Sequence, residues 1–109
     1  MITASFIGHR NHAFRIRELV KNFIKIKNIY HPYKKFRNST NTLNDILLSD
    51  CVFIICPSKF HFKFLNFLHL NKFKGYIFCE KIPVTSIKQL NVLKKFKNSK
   101  TFFNYNLQF

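Results

Sequence analysis

At 109 residues the chain has material for one small domain, and its 47% hydrophobic and 17% aromatic content is ample for a packed core, which excludes wholesale disorder. The longest uninterrupted apolar run is Cys51–Cys56 and no basic stretch precedes Ile2–Ile7, so neither a membrane span nor a signal peptide is read, and a cytoplasmic protein without a membrane partner is expected. Nineteen Lys and Arg against four Asp and Glu give +15, a field that draws nucleic acid or phosphorylated ligands, although Lys, Asn, Phe, Ile and Tyr, all encodable by A/T-only codons, make up 58 of the residues and give the charge a purely compositional source as well.

Ile2–Ile7 is a short apolar run ending at Gly8 and reads as a buried strand entering a turn. From Ala13 onward Phe14, Leu19, Val20, Phe23 and Ile24 mostly follow helical spacing. Ile26–Tyr30 reads as a second strand, closed by His31-Pro32. Thr42–Leu48 is a short helix, with Thr40 or Asn41 as its cap. Asp50 precedes Cys51–Cys56, apolar at every position, as a central parallel strand covered on both faces must be. Pro57–Lys74 fits both a strand and a helix by periodicity, and its length decides for a helix. Gly75 stands where a helix C-terminal glycine belongs. Tyr76–Cys79 is the next strand, Ser86 caps a helix carrying Ile87, Leu90, Leu93 and Phe96, and Thr101–Tyr105 is a last strand. Strands alternating with helices predict a single α/β domain, Rossmann-like, with a mainly parallel sheet and helices on both faces. The three cysteines (Cys51, Cys56, Cys79) are odd in number and lack a C-x-x-C spacing, so they read as buried small hydrophobes.

In such a fold the first strand-to-helix turn is where a dinucleotide pyrophosphate sits, against backbone N–H groups and a helix N-terminus. Here it reads Gly8-His9-Arg10-Asn11-His12-Ala13. Against G-x-G-x-x-G/A, Gly8 and Ala13 fit, while Arg10 replaces the middle glycine and either blocks the approach or offers its charge to the phosphates. The competing reading is an ordinary strand–helix turn. About 20 residues on, where an acidic side chain normally takes the ribose hydroxyls, the second strand ends at His31, followed by Lys34, Lys35 and Arg37. Those cations suit the 2′-phosphate of NADP better than the free diol of NAD; a solvated basic loop is the plainer reading.

Four segments in order resemble the N-terminal nucleotide-binding domain of the Gfo/Idh/MocA oxidoreductases. They are the Ile2–Ala13 strand and turn, Asp50-Cys-Val-Phe-Ile-Ile-Cys-Pro57 with His61 beyond it, Cys79-Glu80-Lys81-Ile82-Pro83, and Asn104-Tyr-Asn-Leu-Gln-Phe109. The resemblance spans essentially the whole chain. It implies an NAD or NADP cofactor, with Lys81 near the nicotinamide and substrate in a proton-transfer role. It further implies that Glu80 fixes the turn carrying Lys81, that Pro57 and His61 stand at the cofactor's edge, and that Asn106 belongs to the closing motif. Ile82 stands where the family has proline, and Gln108 where it has arginine. The family's substrate domain has no counterpart in these 109 residues, so the resemblance implies a truncated or split enzyme that needs a separate substrate-domain chain, or a degenerate remnant. A homo-oligomer is the other partner it allows.

Each singled-out residue also has a plain reading. A lysine after a strand, such as Lys81, is ordinarily solvated, and His61 is an ordinary polar position on a helix. His9 and His12 form H-x-x-H with no acidic or thiol companion, which does not make a metal site. Lys74, Gly75, Tyr76 and Phe78 match part of the RNA-binding K/R-G-F/Y-G/A-F-V-x-F/Y strand, and Tyr76 and Phe78 would stack bases on an open sheet face. In the α/β reading helices cover that face and both aromatics are core. A basic module for nucleic acid is therefore the alternative function, and a protein–protein module with an uncovered apolar edge a third.

Overall fold

The computed structural model describes residues 1–8, 11–31, 43–80, 86–95 and 100–104. Five strands, β1 (Thr3–Ile7), β2 (Lys25–Tyr30), β3 (Cys51–Ile54), β4 (Tyr76–Glu80) and β5 (Lys100–Asn104), form one sheet in the order β2-β1-β3-β4-β5. Every pairing is parallel. Among the described residues three α-helices cross between them: α1 (Asn11–Val20), α2 (His61–Leu70) and α3 (Ile87–Leu93). The α/β fold expected from the alternation of apolar runs is the fold observed.

The order of strands decides which face each helix covers. The chain steps one way from β1 to β2, and the opposite way from β2 to β3, β4 and β5. With right-handed crossovers, that reversal puts α1 on one face and the later helices on the other. The two cores agree. Ile7, Val52, Ile54, Ile77 and Cys79 pack with Phe64, Leu65 and Leu68 of α2 and with Leu93 of α3. Ala4, Phe6, Cys51, Phe53 and Ile55 pack with Ala13, Ile16 and Val20 of α1. Burying each of Phe64, Leu65 and Leu68, all fully inaccessible, contributes roughly 1.5–3 kcal/mol.

Several local features differ from expectation. On α1 the buried stripe is Ala13, Ile16 and Val20, whereas Phe14 and Leu19 face solvent, as does Phe23 in the turn beyond the helix. Leu43–Leu48 is 3-10 rather than α-helical, and its proposed caps Thr40 and Asn41 lie outside the described residues. The apolar run Cys51–Cys56 leaves the ladder at Ile54, although Ile55 still donates its N–H to the Ile7 carbonyl at 2.9 Å. Cys51 and Cys56 do pack on opposite faces, but Cys56 is only half-buried. α2 is shorter than Pro57–Lys74: a 3-10 turn over Ser58–Phe60 leads into it, and it ends at Leu70.

The helix C-terminus corrects the reading of Gly75. The left-handed residue after α2 is Lys72, with φ 55°, and Phe73 N–H returns to the Leu68 carbonyl. Gly75 is required instead by close approach, since a Cβ there would lie 2.2 Å from the Asp50 carbonyl oxygen and 2.5 Å from the Phe73 ring. Ser86 does cap α3, its hydroxyl accepting from Gln89 N–H at 3.1 Å, while Phe96 lies outside the described residues.

Tyr76 and Phe78 are not core. They lie on the α1 face of β4, 43% and 37% exposed. Phe6, Phe53 and Phe78 form a stacked row across β1, β3 and β4, with centroid separations of 4.7 and 4.9 Å. Among the described helices α1 alone serves that face, and it packs over β1 and β2, so the row runs from buried Phe6 out to half-exposed Phe78. At the opposite end from the strand C-termini, Asp50 ties β3 to β1. Its carboxylate accepts from Thr3 N–H at 2.8 Å and from the Thr3 hydroxyl at 3.1 Å.

Candidate functional site

The reversal of chain direction falls between β1 and β3, and a crevice outside the strand C-termini at such a point is where open α/β sheets bind ligands. Ile7 and Gly8 end β1 there, and α1 opens at Asn11 a few residues later. Gly8 has φ 125° and donates its N–H to the Tyr30 carbonyl at 2.8 Å. A Cβ on Gly8 would stand 1.8 Å from the Ile55 carbonyl oxygen. The glycine is therefore needed by the close passage of β1 past the end of β3, a demand separate from ligand approach.

Asn11 is the first residue of α1, and no acidic side chain lies in the first turn of this ten-residue helix. Its N-terminal N–H groups and positive dipole end thus face the crevice uncompensated by a carboxylate of the helix itself. His12, one residue on, reaches the end of β4. Its Nε2 lies 2.7 Å from Glu80 Oε1, both side chains being partly exposed. The pair spans the C-terminal end of β3, which lies between β1 and β4, and links the start of α1 to the end of β4.

Pro57 and His61 continue from β3. The Pro57 carbonyl accepts from Phe60 N–H at 2.9 Å and starts the short 3-10 turn. His61 is 1% exposed, and its Nε2–H donates to the Cys56 carbonyl at 2.6 Å. The imidazole thus clamps the chain where it leaves β3, a positioning role distinct from a surface polar position. His31 follows directly on the end of β2, half-buried.

Gly8, Asn11, His12, His31, Pro57, His61 and Glu80, scattered over the sequence, therefore lie toward the strand C-termini, and His12 and Glu80 among them are in contact. His9, Arg10, Lys81 and Asn106 lie outside the described residues. The thiols near the crevice are not nucleophiles. Burial, with Glu80 nearby, pushes Cys56 up to about 12, and burial with Cys56 and Glu80 does the same for Cys79. Burial beside Asp50 raises Cys51 to about 11. All three stay protonated at neutral pH. No group of three metal-ligating side chains occurs among the described residues, and no helix there is long and apolar enough to cross a membrane.

Sequence reasoning singled out His12 and Glu80 separately and missed their pairing, for which a separation of 68 positions leaves no local signal. It also missed the approach of Gly8 to Ile55, because a glycine in a turn reads the same whether ligand or backbone occupies the space.

The fold is shared with solved oxidoreductases. UDP-N-acetylglucosamine 3-dehydrogenase GnnA from Acidithiobacillus ferrooxidans, in two crystal forms, matches with TM-scores of 0.72 and 0.73 at 11% and 12% identity. The match covers 87% of this chain and 33% and 34% of the solved ones. An oxidoreductase from Bacillus cereus matches with a TM-score of 0.68 at 19% identity, over 93% of this chain and 34% of that one. No family model and no curated protein matches the sequence. The chain is a Rossmann-like α/β domain spanning about a third of the length of these solved chains.

Proposed function

We propose that the chain binds a nicotinamide dinucleotide at the C-terminal ends of β1 and β3, as the cofactor domain of an oxidoreductase of the Gfo/Idh/MocA type. The observation that carries this reading is the β1–Gly8–α1 turn at the strand-order reversal, with a carboxylate-free helix N-terminus and His12 holding the nearest acid, Glu80. These residues fit a pyrophosphate: Gly8, His9, Arg10, Asn11 and His12 would hold it, and His31 would stand toward the ribose. Pro57 and His61 would border the cofactor, with Glu80, Lys81 and Asn106 on the nicotinamide side. When bound, the cofactor supplies hydride transfer. Lys81 is the residue assigned to move a proton, and Glu80, fixed by His12, positions it. Lys34, Lys35 and Arg37, with no carboxylate nearby, favour NADP over NAD.

The proposed domain limits are 1–109 as a single cofactor-binding unit, with substrate binding supplied from outside those residues. Catalysis by these residues alone is not proposed, since substrate positioning contributes a large part of enzymatic rate. The neighbours' names and the resemblance both support an oxidoreductase setting.

A second reading, a basic module for single-stranded nucleic acid, draws on +15 and on the exposure of Tyr76 and Phe78 on a sheet face. One experiment separates the two. NADPH, NADH and an oligothymidylate are titrated into the protein at roughly 0.15 M salt, where loose charge attraction is screened. Saturable NADPH binding, lost in Arg10→Glu, supports the cofactor reading. Absent dinucleotide binding with a steeply salt-dependent oligonucleotide signal overturns it in favour of the second.

A further inference from the structure

A groove of about 370 Å³ runs between α1 and β2, away from the crevice at the strand ends. Phe14, Arg17 and Glu18 wall it from the helix, Lys21 from just past the helix end, and Ile26, Lys27 and Ile29 from the strand. Its composition follows from an irregularity in the sheet. Ala4 pairs with Ile26 but Ser5 pairs with Asn28, so Lys27 is an extra residue in β2. A bulge of this kind turns a side chain off the regular alternation. Here it brings Ile26 and Lys27, neighbours in sequence, onto the same groove.

Two further observations bear on an occupant. β2 has a described neighbour on one side, β1, to which Lys25 N–H and the Tyr30 carbonyl are committed through Ile2 and Gly8. In a parallel ladder the alternate residues aim their N–H and C=O groups to the other side, the hydrogen-bonding edge of a further strand. In the groove, Arg17 lies 5.5 Å from the Phe14 ring centroid, and its Nε is buried without a hydrogen-bond partner. An unpaired buried donor on a charged group favours an acceptor.

We propose that this groove binds an extended acidic peptide, which adds to the sheet as a strand beside β2. The rim is cationic: Arg17, Lys21 and Lys27 face one carboxylate, Glu18, itself paired with Lys21 at 2.5 Å. The exposed Lys25 and Lys27 on the edge, in a chain of +15, repel a second copy of the same edge and favour an acidic partner. Main-chain hydrogen bonds to the edge would supply affinity, and alternate side chains of the peptide would rest on Ile26 and Ile29. A phosphodiester backbone has no N–H donors to pair with a strand edge, which sets the peptide ahead of a nucleic acid here.

The test uses the full chain and a short fluorescein-labelled peptide of alternating glutamate and valine, followed by anisotropy at roughly 0.15 M salt. Saturable binding is expected, weakened about tenfold in Lys27→Glu and in Arg17→Glu, a loss of about 1.4 kcal/mol. Lys88→Glu on α3 makes the same change in net charge far from the groove, and is expected to leave binding intact. Methylating alternate peptide nitrogens is expected to abolish it. Lys27 is exposed, so its variant keeps the test valid if Arg17→Glu fails to fold, as circular dichroism would report. Equal weakening by Lys88→Glu, undiminished binding of the methylated peptide, or binding of an oligothymidylate but not the peptide would each overturn the proposal.

Discussion

Replacing Gly8 by alanine separates a glycine kept for the fold from one kept for a ligand. The added Cβ would lie 1.8 Å from the Ile55 carbonyl oxygen and 2.7 Å from its carbon, both backbone atoms of β3's continuation, so no side-chain rotation relieves the contact. The φ of 125° is itself a conformation that L-residues rarely adopt, costing on the order of 1–3 kcal/mol. Relief requires the ends of β1 and β3 to part by more than an ångström, which sacrifices the Ile55 N–H to Ile7 carbonyl bond of 2.9 Å. Such a bond is worth about 0.5–1.5 kcal/mol. The expected destabilisation is therefore about 2–4 kcal/mol, a large part of the ~5–15 kcal/mol that holds a domain folded. Urea unfolding followed by circular dichroism, with no dinucleotide present, measures it as a fall in the midpoint at unchanged m. A loss below about 1 kcal/mol would refute the steric argument. Together with abolished NADPH binding, that result would assign Gly8 to the ligand alone.

Two other outcomes follow from the opposite end of the sheet. Lys72→Gly places the residue suited to φ 55° after α2 and is expected to stabilise the protein by about 0.5–1 kcal/mol in the same urea assay. The hydrogen bonds from Thr3 hold the Asp50 carboxyl below the usual carboxylate range. A carboxyl depressed on folding stabilises above its unfolded pKa and loses that contribution as pH falls through the folded one. The acid limb of stability below about pH 4 is therefore expected to flatten in Asp50→Asn, as read from thermal midpoints across pH.

The elements legible in the sequence were those whose signal is local. Cys51–Ile54 is apolar at every position because β3 lies inside the sheet and is covered on both sides, and no partner need be known to read it. Ser86 announces α3 because a cap acts within three residues, as its bond to Gln89 shows. At the candidate site, Gly8, His12, Pro57, His61 and Glu80 were legible as residue types in a pattern. Their functions within the fold were not. His61 read as a residue at a cofactor's edge or as a polar position on a helix, and its burial against the Cys56 carbonyl depends on how the chain turns out of β3. Gly75 read as a helix terminator, but the restriction on it comes from the Asp50 carbonyl, 25 residues away.

The alternation of strands and helices, and with it the parallel α/β class, was contained in the order of apolar runs, because burial periodicity is set by the few residues around each position. Which strand neighbours which was settled only by packing. That order places α1, alone among the described helices, on one face, leaves Tyr76 and Phe78 partly exposed, and brings His12 to Glu80 across the end of β3. Contacts between residues tens of positions apart have no periodic trace in the chain. They arise when crossovers of one handedness run first one way and then the other along the sheet.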